Sequence, residues 1–170
     1  LMRVMPNMVI IAPGDAVEAE KATMAMAEDP RPNYIRLSRE ATPVFTSDKT
    51  PFEIGKAYIF EPGHDITIIS TGTMTYPSLV AAHNLFKDGI DVEVIHCPTI
   101  KPLDAVTLLQ SIKKTGAVIT VEEAQKNGGL GGAVAELLAE NLPTPMRRMG
   151  VGDEYGQSGT ASELLEHYGL

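Results

Sequence analysis

The segment Arg36-Leu37-Ser38-Arg39-Glu40 carries the densest binding chemistry in the chain, and with Arg31 it places three guanidinium groups within nine residues. A guanidinium presents a planar fork of donors that matches two oxygens of a phosphate or a carboxylate. Tyr34-Ile35-Arg36-Leu37 reads as a short strand. With a period of two, Arg36 and Ser38 share one face, and Arg39 falls where the strand ends and irregular chain begins. Two readings stay open for Arg39: recognition of an oxoanion, or a surface ion pair with Glu40 or Glu53.

Other chemistry-bearing residues point less far. Gly128-Gly129-Leu130-Gly131-Gly132 follows a strand and opens a helix, where backbone amides can cradle a phosphate. Val134 stands where G-x-G-x-x-G needs its third glycine, so a tight turn with close helix–sheet contact is expected instead. Ser70-Thr71-Gly72-Thr73 lies at the carboxyl end of a strand, with Thr73 expected as a helix N-cap. His64, His83, His96 and His167 show no metal-ligand spacing, and Cys97 has no second cysteine. His83 is expected to be partly buried on a helix face shared with Leu79 and Phe86. Glu122 and Glu123 are neighbours on a strand, so they point to opposite faces and form no acid/base pair.

The elements that must position these groups alternate regularly. Met8-Val9-Ile10-Ile11, then a helix over 16–28 opened by Asp15 and Glu18, then the strand at 34–37 make a β-α-β piece. Residues 40–55 carry Pro43, Ser47, Asp48, Lys49, Pro51 and Gly55 and lose all periodicity. From residue 56 onward, strands at 66–69, 92–95 and 118–121 alternate with helices near 76–88, 104–115 and 132–141. A last helix starts with the capping box Thr160-Ala161-Ser162-Glu163 and turns Ala161, Leu164, Leu165 and Tyr168 inward. Such alternation requires helical crossovers and hence parallel pairing. The fold class expected is α/β, a doubly wound, mostly parallel sheet preceded by a β-α-β remnant of a second α/β domain. That remnant is too small to close a core, so something else must complete it.

Composition narrows the function classes. The chain has 170 residues, 44% hydrophobic and 21% charged, with a net charge of -8 split as -1 over residues 1–60 and -7 over 61–170. This balance argues against a nucleic-acid partner and makes the first part better suited to an anionic ligand. No apolar run reaches the roughly 18 residues that span a bilayer, and neither a signal-peptide pattern nor a disulfide framework is visible. A cytoplasmic protein is expected, and the start at Leu1 suggests truncation or processing.

Arg3-Val4-Met5-Pro6-Asn7 through Pro13-Gly14-Asp15 resembles the R-x-x-P-N-x-x-V-x-x-P-x-D segment of the pyrimidine-binding domain of the transketolase family. Leu37-Ser38-Arg39 looks like that domain's last strand. Pro98-Thr99-Ile100-Lys101-Pro102-Leu103-Asp104, Val121-Glu122-Glu123, Gly128-Gly129-Leu130-Gly131 and the stretch from Gly156 to Leu170 resemble the family's C-terminal domain. The likeness is collinear over the whole chain and nearest to split, two-subunit transketolases. It implies three divisions: the end of a pyrimidine-binding domain at 1–40, a linker at 41–55 and the transketolase C-terminal domain at 56–170.

The resemblance further implies transfer of two-carbon ketol units between sugar phosphates, with thiamine diphosphate and Mg²⁺ bound mainly by residues outside this chain. Partners would be the diphosphate-binding domain or subunit, in a homodimer or heterotetramer. Of the family's site residues only Arg39 carries over, as the arginine on the substrate phosphate; no catalytic, cofactor-binding or metal-binding residue does. Ala124 departs from the His of many relatives, and Asp153-Glu154-Tyr155-Gly156 from their D-R-F-G. Alternatives are the equivalent region of a 2-oxo-acid dehydrogenase E1 β subunit or of deoxyxylulose-phosphate synthase, and a stand-alone dimerisation domain.

Overall fold

Runs of Val and Ile form the central strands, and the computed structural model, which describes all 170 residues, arranges them in two sheets. The larger sheet has the order β3-β5-β4-β7-β8. Its strands are β3 (Tyr58–Glu61), β4 (Ile66–Ser70), β5 (Val92–His96), β7 (Val118–Gln125) and β8 (Met146–Val151). All pairs are parallel except β3 with β5 at one edge. Side chains alternate between the faces as a pleated strand requires. Ile69, Ile95 and Val118 meet α3 (Ala105–Thr115) and α4 (Leu130–Asn141) through Leu108, Ile112, Val134 and Leu138. Ile68, Val92, Val94 and Val121 meet α2 (Thr75–Lys87) and α5 (Ala161–Tyr168) on the other face. The sheet is doubly wound, as expected.

Helix ends follow local chemistry. Asp104 caps α3 by accepting from the Thr107 amide at 3.2 Å, and Gly116, at φ 74°, ends the helix in the left-handed region. Thr160 and Glu163 complete the capping box of α5. Four expectations need correction. The strand expected over 34–37 ends at Ile35, because Arg36, Leu37 and Ser38 leave the sheet as irregular chain, so Arg36 and Ser38 share no strand face. Thr73 is not an N-cap: it sits in a 3-10 turn over Gly72–Met74, and Met74 precedes α2 without a side-chain cap. His83 is exposed, because α2 approaches the sheet through its small residues Ser78 and Ala82, leaving Phe86 67% exposed. Ala161 is exposed too, and α5 reaches the core only with Leu164, Leu165 and Tyr168, each half-buried.

The smaller sheet has the order β2-β1-β6. β1 (Val9–Ile11) runs parallel to β2 (Asn33–Ile35) and antiparallel to β6 (Thr99–Lys101), with α1 (Ala16–Glu28) between β1 and β2. The chain thus closes one edge of the β-α-β piece with a strand drawn from between β5 and α3. Val9, Ile11 and Ala22 are buried with Ile35, Phe52 and Ile54 on one face; Ile10, Ala12 and Ile100 are buried on the other. The irregular stretch after Arg39 is tied to α1. Lys21 Nζ donates to the carbonyls of Ser47 and Thr50, and Asp15, 4% exposed, accepts from the amides of Phe45 and Thr46 and from the Thr46 hydroxyl.

Asp15 also caps α1 through the Glu18 amide. Burial alone would raise its pKa, but these hydrogen bonds outweigh it and hold the carboxyl below its ordinary 3.8. A depressed carboxyl contributes stability above its unfolded value, and that contribution is lost as pH falls through the folded value. Asp15→Asn should therefore lose less stability than the parent chain between pH 5 and pH 3, measured by urea unfolding at each pH. Equal losses would remove Asp15 from the acid response.

Candidate functional site

β4 lies between β5 and β7, which are reached by helices on opposite faces, so the strand order reverses beside it. In open α/β sheets a crevice opens at that point, outside the carboxyl ends of the strands. Those ends carry Ser70-Thr71-Gly72-Thr73 and Glu122-Glu123. The segment from Arg36 to Pro43 crosses the opening from the smaller sheet. A cavity of about 650 Å³ results, with Tyr76, Leu164, Leu165 and Tyr168 on its apolar side.

The three arginines separate. Arg31 pairs with Asp29 at 2.5 Å, away from the cavity, and this contact draws the Asp29 carboxyl down to about 2. Arg39 is exposed, lines the cavity and pairs with neither Glu40 nor Glu53. Arg36 lines the same cavity with its side chain 25% exposed, its Nη2 buried and without a hydrogen-bond partner. Glu123 Oε1 lies 3.9 Å from that nitrogen, beyond hydrogen-bond reach, while Glu123 Oε2 accepts from the Thr73 hydroxyl.

Glu122 and Glu123 do point apart, and Glu122 explains the glycine-rich turn. Its carboxylate, 1% exposed, accepts from the Leu130 amide at 2.9 Å and the Gly131 amide at 2.8 Å. The N-terminus of α4 is therefore filled by the chain's own anion. A Cβ on Gly129 would run into that carboxylate, and one on Gly150 would meet the Glu122 side chain and backbone. Burial pushes the Glu122 pKa up, against the amide bonds and the fields of Arg36 and Arg148.

A second polar network joins the two sheets where sequence reasoning saw only a helix cap. Glu18 does not return to the Asp15 amide; its Oε2 accepts from the Gly14 amide at 2.7 Å and from His96 Nε2 at 2.7 Å. On the other side of the ring, His96 Nδ1 meets the Thr75 hydroxyl at 2.7 Å, and Ser70 Oγ donates to Thr75 Oγ1. His96 is fully buried and Glu18 is 2% exposed. Cys97, next along the chain, is buried, which pushes its thiol to about 12 and leaves it unreactive.

Comparison with known proteins places this architecture. The family model for the transketolase C-terminal domain matches residues 55–170. The chain belongs to the transketolase family. It is 41% identical over 170 residues to the 6-deoxy-6-sulfo-D-fructose transketolase subunit SqwH of a Clostridium strain, covering 100% of this chain and 53% of that one. It is 38% identical over 171 residues to an apulose-4-phosphate transketolase subunit of Phocaeicola vulgatus, covering 100% and 54%. A solved split-gene transketolase, an inactive beta4 tetramer, superposes with a TM-score of 0.96 at 43% identity, covering 99% of this chain and 55% of that one. The chain spans about half the length of these transketolase subunits.

Proposed function

We propose that this chain is the C-terminal part of a thiamine-diphosphate-dependent transketolase subunit that moves two-carbon ketol units between sugar phosphates once assembled with the segments it lacks. The supporting observation is the end-to-end match to split transketolase subunits about twice its length. In this reading residues 1–40 end the pyrimidine-binding domain, 41–55 link, and 56–170 form the C-terminal domain. No helix is long and apolar enough to cross a membrane. The single cysteine, which suits a reducing compartment, supports a cytoplasmic reading.

The residues present do not fit the cofactor. The glycine-rich helix terminus that would suit a diphosphate is occupied by the Glu122 carboxylate, which repels a second anion. Thiamine diphosphate and Mg²⁺ would be held by the missing segments or a partner subunit, in a homodimer or heterotetramer. This chain's contribution would be Arg39, exposed at the crevice and free of ion pairs, on the substrate phosphate. The test is reconstitution. The 170 residues alone, with thiamine diphosphate and Mg²⁺, should show no ketol transfer from a ketose phosphate to an aldose phosphate, whereas the chain joined to its missing half should. Turnover by the chain alone would overturn the reading.

A further inference from the structure

Arg36 is the one cation in the crevice whose situation the fold itself does not explain. Where arginines of this chain serve the fold, they close to contact: Arg3 grips Glu136 with two nitrogens at 2.6 and 2.7 Å and the Gly128 carbonyl at 2.8 Å. Arg36 does not. Its Nη2 is buried without a partner, and Glu123 stops 3.9 Å short, held by Thr73. A buried donor left unmet is destabilising, and more so on a charged group. Gly72, at φ +59°, keeps the space beside the guanidinium open, since a Cβ there would stand 3.1 Å from Nη2. The cation also sits at the switch point where sheets of this kind receive ligands.

We propose that Arg36 forms a second oxoanion-binding point inside the crevice, with Glu123 as the counter-ion that a bound phosphate or sulfonate group displaces. The incoming group accepts from the guanidinium fork and from the Thr73 hydroxyl once that hydroxyl leaves Glu123. Arg36 is a separate contact from Arg39: one lies partly desolvated inside the crevice, the other exposed to water. The identity of the ligand as substrate rests on the function proposed above; the binding itself does not.

The experiment is titration of the 170-residue chain with inorganic phosphate and, separately, methanesulfonate, read by calorimetry and by the NMR signal of the Arg36 side-chain Nε–H. Both anions should shift that signal. Arg36→Ala should weaken binding by about tenfold, and Arg36→Lys should recover part of it, which also separates a lost contact from a lost fold. Glu123→Gln should tighten binding by roughly threefold to tenfold, because no carboxylate then competes for the guanidinium. Phosphate binding that leaves the Arg36 signal unmoved, or that survives Arg36→Ala unchanged, overturns the proposal; an unchanged affinity in Glu123→Gln overturns the counter-ion role. In the reconstituted enzyme, Arg36-dependent inhibition by phosphate that competes with a sugar phosphate identifies the substrate's own group as the ligand. Non-competitive inhibition identifies a free anion, and either supports the site. A complex that binds phosphate at Arg36 without ketol transfer overturns the functional reading alone.

Discussion

His96→Ala should destabilise the chain by about 3–5 kcal/mol, the cost typical of removing one member of a buried pair. The variant leaves Glu18, 2% exposed, with only the Gly14 amide for company. It also removes a ring packed edge-on against Phe45 and tilted over Phe60, at centroid distances of 5.8 and 5.3 Å. Glu18 comes from α1 and His96 from β5, so the loss falls on the joint between the two sheets. Glu18→Gln should cost less, since an amide oxygen still accepts from the ring and from Gly14. The double variant Glu18→Ala/His96→Ala should be less destabilised than the sum of the single alanine variants, because the second change removes a group already stranded. Urea unfolding measures all of these. A loss below about 1 kcal/mol for His96→Ala, or strict additivity, would show the pair to be incidental packing.

Much of this fold was legible because its central strands are short runs of β-branched residues and its helices carry local stop and start signals. The runs at 66–69, 92–95 and 118–121 stand out for that reason, whereas the last four residues of β7, Glu122 to Gln125, carry no such signal. The edges did not. β3 alternates half-buried and exposed, β6 is three residues enclosed by Pro98 and Pro102, and β8 begins with Met146-Arg147-Arg148. Each is a strand through its neighbour rather than through its own composition. β6 additionally belongs to the smaller sheet, a pairing across 88 or more residues that no local window can see.

The crevice was partly legible for the same reason. Arg39 declares itself as a charge where a strand gives way to irregular chain, whereas Arg36 belongs by pattern to the strand and in fact follows its end at Ile35; the glycine-rich turn is legible as a tight approach. What fills that approach was not visible. Glu122 lies eight residues before Leu130, and nothing local says that its carboxylate turns back onto the helix. Glu18 was hidden by a sufficient local explanation, its place three residues after Asp15. Its actual partner is 78 residues away, at the end of a strand whose β-branched run gave no reason to ask about a histidine. Buried polar pairs between sheets leave no periodic trace, because their spacing in sequence is set by topology.

Arg39→Ala in the assembled enzyme should raise KM for phosphorylated sugars by about tenfold to a hundredfold with a smaller change in kcat. The range corresponds to about 1.5–3 kcal/mol for one lost hydrogen-bonding partner on a charged group. The phosphate lies away from the reacting carbons, so its contact is held in ground state and transition state alike, and most of the loss appears in KM. Some falls in kcat to the extent that the same contact orients the sugar. Arg39 is exposed and carries no ion pair within this chain, so its removal should leave the unfolding midpoint unchanged. Non-phosphorylated analogues never make the contact and should turn over with unaltered KM. Lysine should restore only part of the effect, as a point charge without the fork. Arg36→Ala should share the selectivity for anionic substrates. If alanine at Arg39 weakens phosphorylated and neutral substrates alike, the residue acts by shaping the Arg36–Pro43 segment across the crevice, and its phosphate role falls.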